Sequence, residues 1–157
     1  MRRSVFAIAA ILAASTTMPP AFANEKENNV KNNADKLMML SVAVNDMAKA
    51  KEFYADKLGL KVVSDNRIDD QRWWVSLTPP GGGPAIVLTT AHENMKPGTM
   101  KLYFATSDVA ASHDALSSKG VQVGGVKDDL FGPGSGVKWC QLRDPDNNQV
   151  LLVQAER

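Results

Sequence analysis

Apolar and polar residues alternate in several short runs, and two of these runs are copies of each other. Residues 40–54, LSVAVNDMAKAKEFY, align with residues 102–116, LYFATSDVAASHDAL, at an offset of 62 residues. In each copy an alternating run precedes an aspartate, and apolar residues then recur at helical spacing. Further on, residues 74–80, WVSLTPP, align with residues 139–145, WCQLRDP. The chain is therefore predicted to contain two copies of one folding unit.

Each copy is predicted to fold as a βαβββ module. Asp46 and Asp108 stand where a helix N-cap belongs, because a carboxylate there accepts backbone N–H bonds. Gly59 and Gly120 follow the helical segments, as glycine often does at a helix C-terminus. Three strands then follow, separated by turn-rich stretches such as DPDNN at residues 144–148. The predicted fold class is α+β: two tandem βαβββ modules that form one curved, mixed, eight-stranded sheet with helices on its convex face.

The last predicted strand contains the run VLLV at residues 150–153, which has no polar side. A strand with one face in water should alternate between apolar and polar residues. The pattern assigns Val150 and Leu152 to the side that packs on a helix, which leaves Leu151 and Val153 on the other side. We therefore predict that the second side lines an apolar cavity.

The order and duplication of these segments resemble the vicinal oxygen chelate superfamily, which includes glyoxalase I, extradiol dioxygenases and bleomycin-resistance proteins. The resemblance is carried by residues 46–60, residues 108–121 and the DPDNN turn. It implies a single domain over residues 37–155, made of modules 37–91 and 98–155. It also implies a homodimer, because many relatives pair, and pairing would cover an exposed sheet edge.

Metal-dependent members of the superfamily hold one divalent ion with four cavity-facing residues, usually His, Gln or Glu. Transferred by spacing from the capping aspartates and the DPD turn, these positions are Met39, Val87, Lys101 and Leu151. None of these side chains is a usual ligand of a hard or borderline divalent ion. The resemblance therefore implies a protein that uses no metal and no other cofactor.

Alternation assigns further side chains to the cavity, and their mixture is typical of a small-molecule site. Trp74 and Trp139 are equivalent in the two modules and either sandwich a planar ligand or fill core volume. Lys101 holds an anionic group, attacks a carbonyl as a free amine, or reaches the rim with its ammonium in water. The predicted ligand-binding residues are Met39, Ser41, Trp74, Ser76, Val87, Lys101, Tyr103, Trp139, Gln141 and Leu151.

The N-terminus has the layout of a secretory signal. Two arginines at positions 2–3 precede the apolar run VFAIAAILAA, and AFA at positions 21–23 offers small residues at both cleavage positions. We predict a signal peptide over residues 1–23, a polar flexible lead-in over residues 24–36, and a periplasmic or secreted location. The apolar run is too short to span a membrane, so no membrane anchor is expected.

Charge and single residues narrow the chemistry further. Loss of the signal peptide would leave 16 basic and 17 acidic side chains, so neither nucleic acid nor an anionic membrane is expected as a partner. Cys140 is the only cysteine and is predicted to be a small buried residue. His92 is predicted in an exposed loop and His113 on the packing side of a helix. Neither is placed to activate a nucleophile.

The preferred interpretation is an exported, metal-independent member of the superfamily that binds a small apolar or aromatic molecule and sequesters a toxic compound. Binders of cationic bleomycin should be acidic, and this chain is nearly neutral, which argues against bleomycin itself. Two alternatives stay open. One is a glyoxalase-like lyase or isomerase, or a ring-cleaving dioxygenase; the other is a periplasmic interaction protein without a ligand. The side chains at the metal positions favour a binding protein over an enzyme.

Overall fold

Two modules of related design make up the described structure, and the second has one strand fewer than the first. This computed structural model describes residues 34–155, so the predicted signal peptide and most of the predicted lead-in lie outside the described residues. The first module contains β1 (Met39–Ala43), α1 (Met47–Lys51), β2 (Lys61–Asp69), β3 (Arg72–Thr78) and β4 (Ala85–Thr89); the second contains β5 (Lys101–Thr106), α2 (Val109–Ser118), β6 (Trp139–Arg143) and β7 (Gln149–Gln154). After α1 the helix continues as a π-helical segment, Glu52–Lys57.

The strands form two separate sheets, one in each module. In the first sheet the order is β1-β4-β3-β2, with β1 parallel to β4 and the other pairs antiparallel. In the second the order is β5-β7-β6, with β5 parallel to β7 and β6 antiparallel to it. The mixed α+β class is confirmed. The prediction of one eight-stranded sheet is corrected to a four-stranded and a three-stranded sheet.

The missing eighth strand was predicted between Gly120 and the connection KDDLFGPGSG at residues 127–136. From residue 121 to residue 138 the structure has only isolated β-bridges. Val123 pairs with Leu142, and Lys127 pairs with Trp139. The rest of the segment is rich in glycine and includes the run FGPGSG. Glycine weakens a strand, and proline removes a ladder hydrogen bond. The segment therefore crosses beside β6 as a loop rather than extending the sheet.

Both helices begin where the sequence predicts them. Asp46 Oδ1 accepts the backbone N–H of Lys49 at 3.1 Å, and Asp108 Oδ1 accepts that of Ala111 at 3.0 Å. Each carboxylate satisfies an N–H group that the first helical turn leaves without a partner. The two predicted N-caps are confirmed. Among the described residues, no helix is long and apolar enough to cross a membrane.

One hydrophobic core joins the two modules. It takes alternate residues from the strands, among them Val42, Val75, Leu77, Cys140, Leu142, Val150 and Leu152, and packs them against helical residues. Successive residues of a strand point to opposite faces of a sheet. The residues between these core residues therefore lie on the side away from the core. We call this side the outer face; it carries Met39, Ser41, Trp74, Ser76 and Val87 in the first sheet, and Lys101, Tyr103, Trp139, Gln141, Leu151 and Val153 in the second.

The DPDNN turn hydrogen-bonds the second module to the first. The buried Tyr54 hydroxyl donates to Asp144 Oδ2 at 2.8 Å. Asn45 donates its backbone N–H and its side-chain Nδ2 to Asp146 Oδ1, at 2.9 and 2.6 Å. Asn148 fixes the acceptor, because its backbone N–H and its side-chain amide both donate to Asp144 at 2.8 Å. The turn therefore joins the modules as well as linking β6 to β7.

The equivalent junction has no phenol–carboxylate pair; the hydrogen bonds across it run from Lys119 Nζ to the carbonyl oxygens of Asp56 and Lys57, each at 3.0 Å. In the internal alignment, Leu116 takes the place of Tyr54, and Pro79 takes the place of Asp144. Both residues line a cleft of about 290 Å³ between the modules. One junction is thus closed by buried hydrogen bonds, whereas its counterpart is a cleft with mostly apolar walls.

Replacement of Tyr54 by Phe will lower the free energy of unfolding by about 1–3 kcal/mol, because a buried Asp144 oxygen loses a donor. Urea denaturation measures this loss. Tyr103→Phe is the matched control: Tyr103 is 56% exposed on the outer face, and its replacement will change stability by less than about 0.5 kcal/mol. Equal denaturation midpoints for Tyr54→Phe and the unchanged protein would contradict the claim that the bond from Tyr54 to Asp144 stabilises the junction.

The same variant has a second readout in alkaline solution. Burial, and then the negative charge of Asp144, raise the pKa of the Tyr54 hydroxyl far above its ordinary value. The unfolded chain releases this proton near pH ~10, while the folded chain retains it. The stability that Tyr54 contributes is therefore present below about pH 10 and is lost as the pH rises further. Tyr54→Phe will reduce this alkaline loss of stability, which denaturation at several pH values measures.

Candidate functional site

The outer face of each sheet carries a central row of three side chains that strand register brings into line. These rows are Ser41, Val87 and Ser76 in the first sheet, and Tyr103, Leu151 and Gln141 in the second. A tryptophan flanks each row, Trp74 opposite Thr89 and Trp139 opposite Val153. The duplicated register therefore places the predicted site residues at equivalent points of the two sheets.

The outer face of the second sheet lines a cavity of about 480 Å³. Half of the predicted site residues meet there: Lys101, Tyr103, Trp139, Gln141 and Leu151. The lining also includes Phe104, Ala105, Leu130, Phe131, Val153 and Ala155. Aromatic and aliphatic side chains with a few polar tips are the usual lining of a small-molecule site. The cavity can hold a planar, largely apolar ligand.

The other predicted site residues lie on the outer face of the first sheet and do not line this cavity: Met39, Ser41, Trp74, Ser76 and Val87. Met39 is 50% exposed, and Ser41 is also exposed. Trp74 and Trp139 lie in different sheets, and the aromatic ring pair that the described residues contain is Phe53 with Tyr54. Within one chain, the structure does not bring the two halves of the predicted site together.

Leu130 and Phe131 were not among the predicted site residues, although they line the cavity. They belong to the loop that replaces the eighth strand, and Phe131 is 79% exposed. Trp139 ties this loop to the sheet, since its Nε1 donates to Asp129 Oδ1 at 3.1 Å. The available signal was a pair of adjacent apolar residues inside the polar, glycine-rich run KDDLFGPGSG. The pattern predicts that run only as a connection between strands, so it assigns neither residue to the cavity.

The four positions that hold a metal in relatives carry side chains that do not fit a divalent ion. Val87 and Leu151 have no donor atom, Met39 offers a soft thioether, and Lys101 carries a positive charge. Across residues 34–155, no group of three or more His, Cys, Asp or Glu side chains is close enough to bind a metal. The side chains at these four positions therefore do not support metal chemistry on the outer face.

Both histidines make local contacts. His92 is partly buried, and its Nε2 lies 2.8 Å from the carbonyl oxygen of Val44, to which an Nε2–H donates. The prediction that His92 lies in an exposed loop was wrong, because the loop returns to the end of β1. His113 Nδ1 lies 2.9 Å from Asp114 Oδ1 on α2. Neither histidine lines the outer-face cavity.

These observations define a class of protein: two related modules, βαβββ and βαββ, with an aromatic-lined cavity on the outer face of a sheet. Residues 36–152 match the family model of the Glyoxalase/Bleomycin resistance protein/Dioxygenase superfamily. The chain belongs to this superfamily, and the predicted resemblance is confirmed.

Several proteins are similar to this chain, two of them in structure as well as in sequence. The structure is similar to TnmS3, an antibiotic binding protein from Streptomyces sp. CB03234, with 28% identity, a TM-score of 0.70, and coverage of 80% of this chain and 99% of that one. A glyoxalase/bleomycin resistance protein from the same organism is 30% identical, with a TM-score of 0.65, and 76% and 100% of the two chains are covered. The Bacillus subtilis (strain 168) protein YetH is 24% identical over 123 residues, which cover 73% of this chain and 94% of YetH.

The reactivity of a cysteine tests which side of β6 faces the core. Cys140 is buried, and burial raises the pKa of its thiol. A thiol-specific reagent will therefore react with native Cys140 on the order of a hundredfold more slowly than with the chain unfolded in urea. Gln141→Cys in a Cys140→Ala background will react rapidly in the native state, because residue 141 lines the cavity. Rapid labelling of native Cys140 would reverse the assignment of the two faces.

Proposed function

We propose that this chain is an exported, metal-independent binding protein that takes a small apolar or aromatic molecule into the outer-face cavity and sequesters it. The observation that carries this proposal is the cavity itself, which the rings of Tyr103, Phe131 and Trp139 line together with the apolar Leu151. The antibiotic-binding relative TnmS3, which shares the fold, supports a similar role. The N-terminal pattern supports export, and sequestration outside the cytoplasm would stop a toxic compound before it enters the cell.

The shape and chemistry of the cavity suit a planar ligand. Its volume of about 480 Å³ falls within the range of roughly 300–1,000 Å³ that small-molecule sites occupy. Each favourable contact between aromatic rings contributes about 0.5–1.5 kcal/mol beyond the buried area. Gln141 adds one amide that can orient a polar substituent. Binding of this kind needs positioning and burial alone, and no group that reacts.

In this proposal a second copy of the chain completes the site. The first sheet presents the equivalent row on an outer face that residues 34–155 leave open. Met39 on this face is 50% exposed, and the apolar residues Leu37 and Met38 just before β1 are 60% and 65% exposed. A two-fold dimer would place the first sheet of one copy over the second sheet of the other, twice. It would bury these apolar side chains and bring Trp74 of one copy towards Trp139 of the other.

Binding of a panel of neutral bicyclic and tricyclic aromatic compounds, measured by isothermal titration calorimetry, tests the proposal. Trp139→Leu will weaken binding by about tenfold, the loss of one good aromatic contact. Trp74→Leu will weaken it by a similar factor, because that side chain comes from the second copy. Ser117→Ala, on the exposed surface of α2, is the control and will leave affinity unchanged.

Two results would contradict the proposal in different ways. Unchanged affinity in Trp74→Leu, together with a monomeric mass by light scattering, would restrict the site to one chain. Failure of the unchanged protein to bind any member of the panel would favour an interaction protein without a ligand.

Divalent metals will leave thermal stability unchanged. Zn²⁺, Ni²⁺, Mn²⁺ or Fe²⁺ will move the unfolding midpoint by less than about 1 °C, whereas a bound metal at a hundred times its dissociation constant would add about 2.7 kcal/mol. Differential scanning fluorimetry after dialysis against a chelator measures the shift. A rise of several degrees would favour the alternative, a glyoxalase-like lyase or isomerase or a ring-cleaving dioxygenase, since those reactions use a metal to polarise neighbouring oxygens.

A further inference from the structure

Among the residues that the structure describes, one charged side chain lines the outer-face cavity of about 480 Å³, and its charge is positive. Lys101 is the only Lys, Arg, Asp or Glu in this lining. A second cavity of about 510 Å³ adjoins it, between β5 and the β3–β4 hairpin, and Lys101 is again the only Lys, Arg, Asp or Glu in its lining. The two cavities therefore share a single ammonium group and no carboxylate.

Within residues 34–155, the Lys101 ammonium has no carboxylate partner. Lys49, Lys51 and Lys57 each form an ion pair with an acidic side chain. The Lys101 ammonium instead lies over the ring of Tyr103, with Nζ 5.3 Å from the ring centroid. An ammonium over an aromatic ring is weakly attracted to it. This contact holds the charge at the border of the aromatic wall and leaves it free to pair with a ligand.

The row of residues that contains Lys101 adds positive charge and hydrogen-bond donors. Strand register places Lys101 opposite Gln149, and Gln149 opposite Arg143. Arg143 is exposed, and its Nη1 donates to the carbonyl of Asn147 at 2.8 Å. The row thus combines an ammonium, an amide and a guanidinium. Asp129, the carboxylate beside the other end of the wall, accepts the Trp139 Nε1–H.

We propose that the ligand is a planar aromatic anion, a fused ring system that carries a carboxylate or a sulfonate. Its ring lies on Tyr103 and Trp139, and its anionic group pairs with Lys101. The inference rests on the proposed function and names the class of ligand for the same site. Alternate residues along a strand are about 7 Å apart, so a group on the edge of a bicyclic ring over Tyr103 reaches the Lys101 ammonium. Charge-assisted hydrogen bonds are the strong ones, and this one would select among aromatic compounds.

Matched pairs of compounds test the inference, because each pair differs in charge and hardly in shape. The pairs are 2-naphthoate with 2-naphthamide, and anthraquinone-2-carboxylate with anthraquinone-2-carboxamide. Calorimetry on the full mature chain will show that each anion binds about tenfold more tightly than its amide. Lys101→Met keeps the length of the side chain and removes its charge; it will abolish the preference, so that each anion and its amide bind with equal affinity. Lys101→Arg will retain the preference.

The outcomes separate the two proposals. Equal affinity for anion and amide in the unchanged protein, or a preference that survives in Lys101→Met, would overturn the anionic ligand and leave the aromatic cavity standing. If the protein binds neither the naphthalene nor the anthraquinone compounds, both the assignment of the cavity as a binding site and the proposal of an anionic ligand are overturned. A higher salt concentration will reduce the difference in affinity between each anion and its amide, since screening weakens the ion pair with Lys101 and leaves the ring contacts unchanged. Circular dichroism shows whether each variant keeps its fold.

Discussion

The hydrogen bond from the Tyr54 hydroxyl to the Asp144 carboxylate sets the relation between the two modules. Both groups are buried, and a buried polar group that loses its partner costs more than a solvated one. Asn148 fixes Asp144 through two further bonds. Because Asp144 also lies in the turn between β6 and β7, the strands that line the cavity are anchored to the helix of the other module. Packing alone, which tolerates sliding, would position that wall less firmly.

Local pattern sufficed for part of this architecture. The alternation of Cys140, Gln141 and Leu142 assigns the faces of β6 residue by residue, because the period of a strand is two. The prediction of an eighth strand failed because strand pairing depends on residues that are distant in the sequence. Val123 and Lys127 each form a single isolated β-bridge with β6, and the backbone between and beyond them is rich in glycine. The family resemblance needed no such contacts, since it rested on the order and duplication of segments.

The candidate site shows the same limit. Duplication makes Trp74 and Trp139 equivalent, and the structure keeps that equivalence in strand register. Equivalence does not state whether the outer faces of two sheets in one chain meet, and here Trp74 does not line the cavity that Trp139 lines. The side chains of the loop are a further case. Phe131 reaches the cavity through the path of an irregular segment, which hydrophobic periodicity does not encode.

The two junctions between modules have diverged from a common arrangement. Where the first helix presents Tyr54 to a carboxylate, the second presents Leu116 beside Pro79. The first module therefore supplies the phenol and the second module supplies the carboxylate, so the two modules are not interchangeable. A protein assembled from two copies of the first module would bury two phenol groups beside a proline, and one made from two copies of the second would leave each Asp144 with its own turn as the only source of donors. The bond from Tyr54 to Asp144 therefore needs one module of each kind, and recombination that duplicates either half would lose it.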